Sequence, residues 1–143
     1  MTDWVTLRLP SSAHVVGIAR AMAVAAAAAS GVPEDRVDDV RTCTSEAVTN
    51  AVQAHRRSEL TLPIIVRTAV VGRRFIIEVG DSGPGIHAER VRPNGSLALR
   101  EGGYGIPVMR ALSDTFEMQS GGILDPHVGT TVRLSYEQAP HTD

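Results

Sequence analysis

Thr44-Ser45-Glu46-Ala47-Val48-Thr49-Asn50-Ala51 lies in a run whose apolar residues repeat with the period of a helix. At about 100° per residue, counted from Val37, the residues Val37, Val40, Thr44, Ala47, Val48, Ala51 and Val52 fall on one broad arc. Glu46 and Asn50 project to the opposite side, at roughly 180° and 220°. Being four residues apart, they stack one turn above the other. The run predicts a helix that begins at Pro33, with Glu34 and Asp35 complementing the positive end of its dipole, and ends at His55 or Arg56. His55 returns to the apolar arc, which makes it a core or edge histidine rather than a ligand. An amide oxygen is a hard ligand suited to Mg²⁺, and a carboxylate beside it can take a proton from a hydroxyl or water. A Glu/Asn pair alone is more often a solvated polar face, so the rest of the chain has to decide.

Upstream, Trp4 to Leu9 alternates and stops at Pro10, a first strand. Ser11 or Ser12 then caps a helix from His14 to Ser30, whose alanines allow close approach to a neighbour, and Gly31 ends it. Downstream, Leu62 to Val71 reads as a strand with Pro63 near its start, Gly72-Arg73-Arg74 as a turn, and Phe75 to Val79 as the returning strand. Gly80 to Gly103 reads as a long loop with one helical turn around Ala88 to Val91; loops of that length in compact domains usually carry function. Ile106 to Ser113 is the next helix, Thr115 to Ser120 a strand, Gly121 to Gly129 a connection, and Thr130 to Tyr136 a last strand with Val132, Leu134 and Tyr136 facing one way. The tail after Glu137 is expected to fray. This order predicts one α+β domain over residues 1–143: a two-layer sandwich with a mixed, mostly antiparallel sheet and the helices on one face.

Composition narrows the chemistry. A net charge of −2 implies no general attraction to nucleic acid or to an anionic membrane. One cysteine, Cys43, excludes an internal disulfide and reads as a small buried hydrophobe. All 14 basic residues are arginine. Without lysine the chain has no Walker-type phosphate loop, no lysine-bearing kinase strand and no Schiff-base chemistry. No apolar stretch approaches the ~20 residues of a membrane span, and the alanine run from Ala21 starts too far along to be a signal peptide, so a cytoplasmic protein is expected.

Two glycine clusters follow the helix. In Gly80-Asp81-Ser82-Gly83-Pro84-Gly85-Ile86 an acidic residue at a strand end can accept a hydrogen bond from an exocyclic amine, while glycines leave room for a flat ring. In Gly102-Gly103-Tyr104-Gly105, just before a helix, exposed N–H groups suit phosphate. Arg90, Arg92 and Arg100 lie between the clusters, within reach of a phosphate if the loop folds over one. Each motif alone is a common turn.

Together and in this order, with Gly129-Thr130-Thr131-Val132 last, they resemble the Bergerat-type ATP-binding fold of gyrases, sensor histidine kinases and anti-sigma factor serine kinases. The string from Ser45 to Ala51 and the small size look most like the bacterial anti-sigma factor serine/threonine kinases, and the resemblance spans the first strand to Tyr136. It implies that Asn50 holds the Mg²⁺ of a bound ATP, that Glu46 is the general base, and that Asp81 receives the adenine amino group. Gly83, Gly85 and Ile86 would shape the base pocket, Arg100, Gly103 and Gly105 would face the phosphates, and Thr130 would stand on the adenine side. The implied partners are an anti-anti-sigma (STAS-type) protein phosphorylated on Ser or Thr, a sigma factor held from RNA polymerase, and a second copy in a homodimer. The competing reading is a catalytically silent, ATP-dependent switch of the same fold. A histidine-kinase fragment is disfavoured, because no helix carrying a phosphorylatable histidine precedes the first strand. One departure stands out: relatives carry His-Gly/Ala-Tyr where this chain has Ala54-His55-Arg56, with the histidine one place later and no aromatic.

Overall fold

A computed structural model describes residues 1–85 and 105–141. The chain begins with β1 (Val5–Leu9), followed by α1 (Val15–Ala29) and α2 (Glu34–Arg57). Alanine spacing explains how the two helices meet: Val15, Ala19, Ala23 and Ala27, each four residues on, are fully buried on one stripe of α1. Gly31, at φ +84°, ends α1. Val32 N–H reaches back to Ala27 O (3.1 Å) and Gly31 N–H to Ala28 O (3.3 Å), the paired bonds of a Schellman motif. Pro33 is the cap residue of α2 rather than its first helical residue, and its carbonyl accepts from Arg36 N–H at 2.8 Å. α2 ends in the same motif, with Leu60 N–H on His55 O (2.9 Å), but the left-handed position is filled by Glu59 at φ 53° instead of glycine.

The remaining elements are β2 (Ile64–Val71), β3 (Arg74–Asp81), α3 (Gly105–Ala111), β4 (Thr115–Ser120) and β5 (Thr130–Glu137). The strands form one sheet in the order β1-β2-β3-β5-β4. All four pairings are antiparallel, with none of the parallel pairing that a mixed sheet would add among the described residues. β3 runs two residues further than the sequence implied, taking in Gly80 and Asp81, because both find partners on β5, Thr131 and Thr130. The expected helical turn at 88–91 lies outside the described residues.

Alternation sorts the strands into two faces. Leu9, Ile64, Val66, Phe75, Ile77, Val79, Val132, Leu134 and Tyr136 join the stripes of α1 and α2 in one core. The other face carries a charged row across three neighbouring strands. Arg67 Nη2 meets Glu78 Oε1 at 2.6 Å, Arg133 lies 3.8 Å from Glu78 Oε2, and Arg67 stacks on Trp4 at 4.2 Å. The tail does not fray immediately after Glu137. Gln138 N–H bonds Arg73 O (2.9 Å), Gln138 Nε2 donates to Ser30 O (2.7 Å), and Ala139 N–H bonds Gly31 O (2.7 Å), which pins the chain end to the α1–α2 turn.

Candidate active site

One strip of α2 collects the residues singled out from sequence. Glu46, Asn50 and Ala54 are spaced by four, so each is about 6 Å further along the axis and all face the same way. Val40, Ala47, Val48, Ala51 and Val52 are buried on the other side, while Glu46 and Asn50 stay half-buried, which is the division the helical count predicted. Thr44, placed on the apolar arc, is buried, and its Oγ1 has no hydrogen-bond partner among the described residues.

Two backbone segments rest on this strip. Gly105, the first residue of α3, lies so near that a Cβ there would sit 2.9 Å from Glu46 Oε2 and 3.3 Å from Asn50 Nδ2. Gly83 lies against the third step, where a Cβ would be 3.2 Å from Ala54 Cβ. Both backbone segments therefore lie in close contact with the strip, Gly83 against Ala54 and Gly105 against the side-chain ends of Glu46 and Asn50. The fold thus brings a carboxylate, a carboxamide and two bare backbone segments together along one strip of α2.

Asp81 closes the far end. As the last residue of β3 it pairs with Thr130 of β5, and its Oδ1 accepts from Gly83 N–H at 2.9 Å, a side-chain turn that orients the carboxylate. Its backbone is clamped from behind. A Cβ on Gly129 would be 1.9 Å from Asp81 O, and one on Gly122 would be 2.6 Å from it. Gly85, at φ +83°, approaches Gly129 O in the same corner. Gly121-Gly122 read in the sequence only as the start of a connection, and Gly129 only as its end and the first residue of the last motif. The role of Gly122 and Gly129 as the seat of Asp81 depends on a contact between distant segments, and no local pattern carried it.

His55 is wholly buried at the end of α2, as its place on the apolar arc predicted. Its Nδ1 lies 3.0 Å from Leu62 O and its Nε2 accepts from Ser82 N–H at 2.8 Å. Cys43 is buried as expected, with Sγ directed at Met109 O (3.9 Å), and burial pushes its thiol up, which makes it unsuited to nucleophilic work. Ile86, Arg90, Arg92, Arg100 and Gly103 lie outside the described residues.

This geometry can be set beside known proteins. The sequence profile of the histidine kinase-like ATPase domain matches residues 9–136. The chain belongs to that family. Within the histidine kinase-like ATPases it is similar to the serine-protein kinase RsbW of Bacillus licheniformis, at 31% identity over 82% of this chain and 78% of that protein. RsbW of Bacillus velezensis is 29% identical over 97% of this chain and 91% of its own length. The anti-sigma F factor of a Thermoanaerobacter species is 29% identical over 94% and 93%. Among solved structures, the RsbU and RsbW domains of Rv1364c from Mycobacterium tuberculosis share the fold, with a TM-score of 0.69 at 19% identity. That match covers 99% of this chain and 34% of the longer one. The two-layer arrangement of the described residues, three helices on a five-stranded antiparallel sheet, matches the fold of that solved structure. No helix among the described residues is long and apolar enough to cross a membrane.

Proposed function

We propose that the protein transfers a phosphoryl group from ATP to a serine or threonine of an anti-anti-sigma (STAS-type) partner, and that it sequesters a sigma factor as a homodimer. The observation that carries the reading is the seating of Gly105 on Glu46 and Asn50, which gives a base and a metal-ligating amide one shared patch of bare backbone. RsbW-type relatives named as serine-protein kinases and anti-sigma F factors support the class of reaction and of partner.

The residues fit Mg²⁺-ATP. Among the described residues no group of three His, Cys, Asp or Glu side chains could hold a metal ion. The half-buried carboxamide of Asn50 suits a cation which binds one side-chain oxygen and takes its other ligands from phosphate oxygens and water. When bound, Mg²⁺ would supply neutralisation of the charge that builds on the phosphates. Asn50 would hold it. Asp81, oriented by Gly83 N–H, would accept from the adenine amino group, with Gly83 and Gly85 shaping the base pocket and Thr130 beside it. Gly105 would give the polyphosphate access to α2, with Arg100 and Gly103 contributing from the segment before α3. Glu46 would orient the acceptor hydroxyl and take its proton.

Labelled ATP, Mg²⁺ and candidate STAS-type partners test this directly. Glu46→Ala should abolish transfer and leave Mg²⁺-ATP affinity within about threefold, since a base acts in the transition state and not in binding. Asn50→Ala should weaken Mg²⁺-dependent binding itself. Transfer that survives Glu46→Ala removes the assigned base, and a wild-type protein that binds ATP but labels no partner leaves the silent-switch reading in its place.

A further inference from the structure

We propose that His55 is a positioning residue for purine recognition: it holds Ser82, and through it Asp81, at the angle that separates adenine from other bases. The inference rests on Asp81 meeting the adenine amine, as proposed above. Both ring nitrogens of His55 face backbone groups that leave no choice of role. Leu62 O can only accept, so Nδ1 carries the proton; Ser82 N–H can only donate, so Nε2 offers its lone pair. One fully buried imidazole therefore joins the helix bearing Glu46 and Asn50, the segment leading into β2, and the residue that follows Asp81.

The position of Ser82 explains why such a tie is needed. The β3–β5 ladder ends with the pair Asp81–Thr130. Ser82, buried to 7% exposure just beyond it, has its N–H bonded by His55 Nε2. Gly83 N–H then turns back to Asp81 Oδ1. Two successive N–H groups are thus fixed, the first by His55 and the second by Asp81 itself. Releasing the first frees the peptide on which the second depends. The carboxylate would still be present, but the turn that sets it against Gly83 N–H would be loosened.

The test compares Mg²⁺-ATP with Mg²⁺-ITP, whose base has a carbonyl where adenine has its amine, by calorimetry on the full chain. Wild type should favour ATP by about 10-fold or more, the worth of a hydrogen bond to a charged acceptor. His55→Leu keeps the volume without the acceptor and should bring the two nucleotides within about threefold, with ITP affinity little changed. His55→Gln, whose amide oxygen reaches the place of Nε2, should restore the preference. His55→Asn reaches only toward Leu62 and should not. Should His55→Leu fail to fold, the Gln/Asn pair decides. A preference retained in His55→Leu, or equal in Gln and Asn variants, overturns the role of His55 while leaving Asp81 intact. No preference in the wild type removes the adenine reading of Asp81, and this inference with it.

Discussion

Gly129→Ala should be among the most damaging single-atom-group additions this fold can receive, and its cost can be worked from the structure. Gly129 sits at φ +101°, where an L side chain is strained, and its new Cβ would lie 1.9 Å from Asp81 O and 3.0 Å from Ser82 Cα. Both obstacles are backbone, so no rotamer change relieves them. Ordinary contact begins at 3.4 Å, so the two strands would have to part by about 1.5 Å. That distance takes the Gly121 N–H bond to Gly129 O, now 2.8 Å, and the ladder at Asp81–Thr130 beyond bonding range. Loss of one or two such bonds at about 1 kcal/mol each, added to about 1–2 kcal/mol of backbone strain, gives roughly 3 kcal/mol. Gly31→Ala is the matched control. Gly31 has φ +84° with nothing within 4 Å of the added Cβ, so strain alone applies, about 1 kcal/mol. Urea unfolding of the two variants, with ATP affinity measured alongside, isolates the clash. If Gly129→Ala and Gly31→Ala unfold within 0.5 kcal/mol (about the resolution of additive comparisons) of each other, the seating of Asp81 described above is wrong.

Other substitutions probe single features. Glu59→Gly should stabilise by about 0.5–1 kcal/mol, because Glu59 occupies the left-handed position (φ 53°) that glycine fills without steric cost; a lower melting temperature would contradict this. Thr44→Val should be neutral or stabilising by up to about 1–2 kcal/mol, since it removes a buried hydroxyl with no partner among the described residues at nearly equal volume, and a clear loss in denaturant midpoint would mean the hydroxyl is bonded. Stability should also fall on the alkaline side. Burial pushes the Cys43 thiol above its ordinary 9.0 and raises Tyr136 likewise, so the unfolded chain releases protons first. Their contribution is complete below pH 9.0 and is lost as pH climbs toward the folded values. Denaturant midpoints at neutral and strongly alkaline pH should show this, with a smaller fall in Cys43→Ala; an equal fall would exclude the thiol as a contributor.

What the sequence by itself determined follows from short-range rules. The apolar arc of α2 and the opposed Glu46 and Asn50 are consequences of helical period, which any neighbour must accept. The alternation of Thr130 to Tyr136 set which side chains enter the core. His55 was legible as buried because its angle on the helix coincides with Val37. Cys43 was legible as a small hydrophobe from its scarcity and setting.

Tertiary structure decided what those residues touch. β3 extends through Asp81 because β5 offers Thr130 as a partner, and a ladder bond depends on a strand nearly fifty residues away in sequence. The tail is held through Ala139 because Gly31 and Ser30 present free carbonyls there, a meeting of chain ends that composition does not encode. The reasons for Gly122 and Gly129 were likewise hidden. Each is glycine because another segment's atoms occupy the space of its Cβ, and exclusion of that kind exists only once the segments have been brought together.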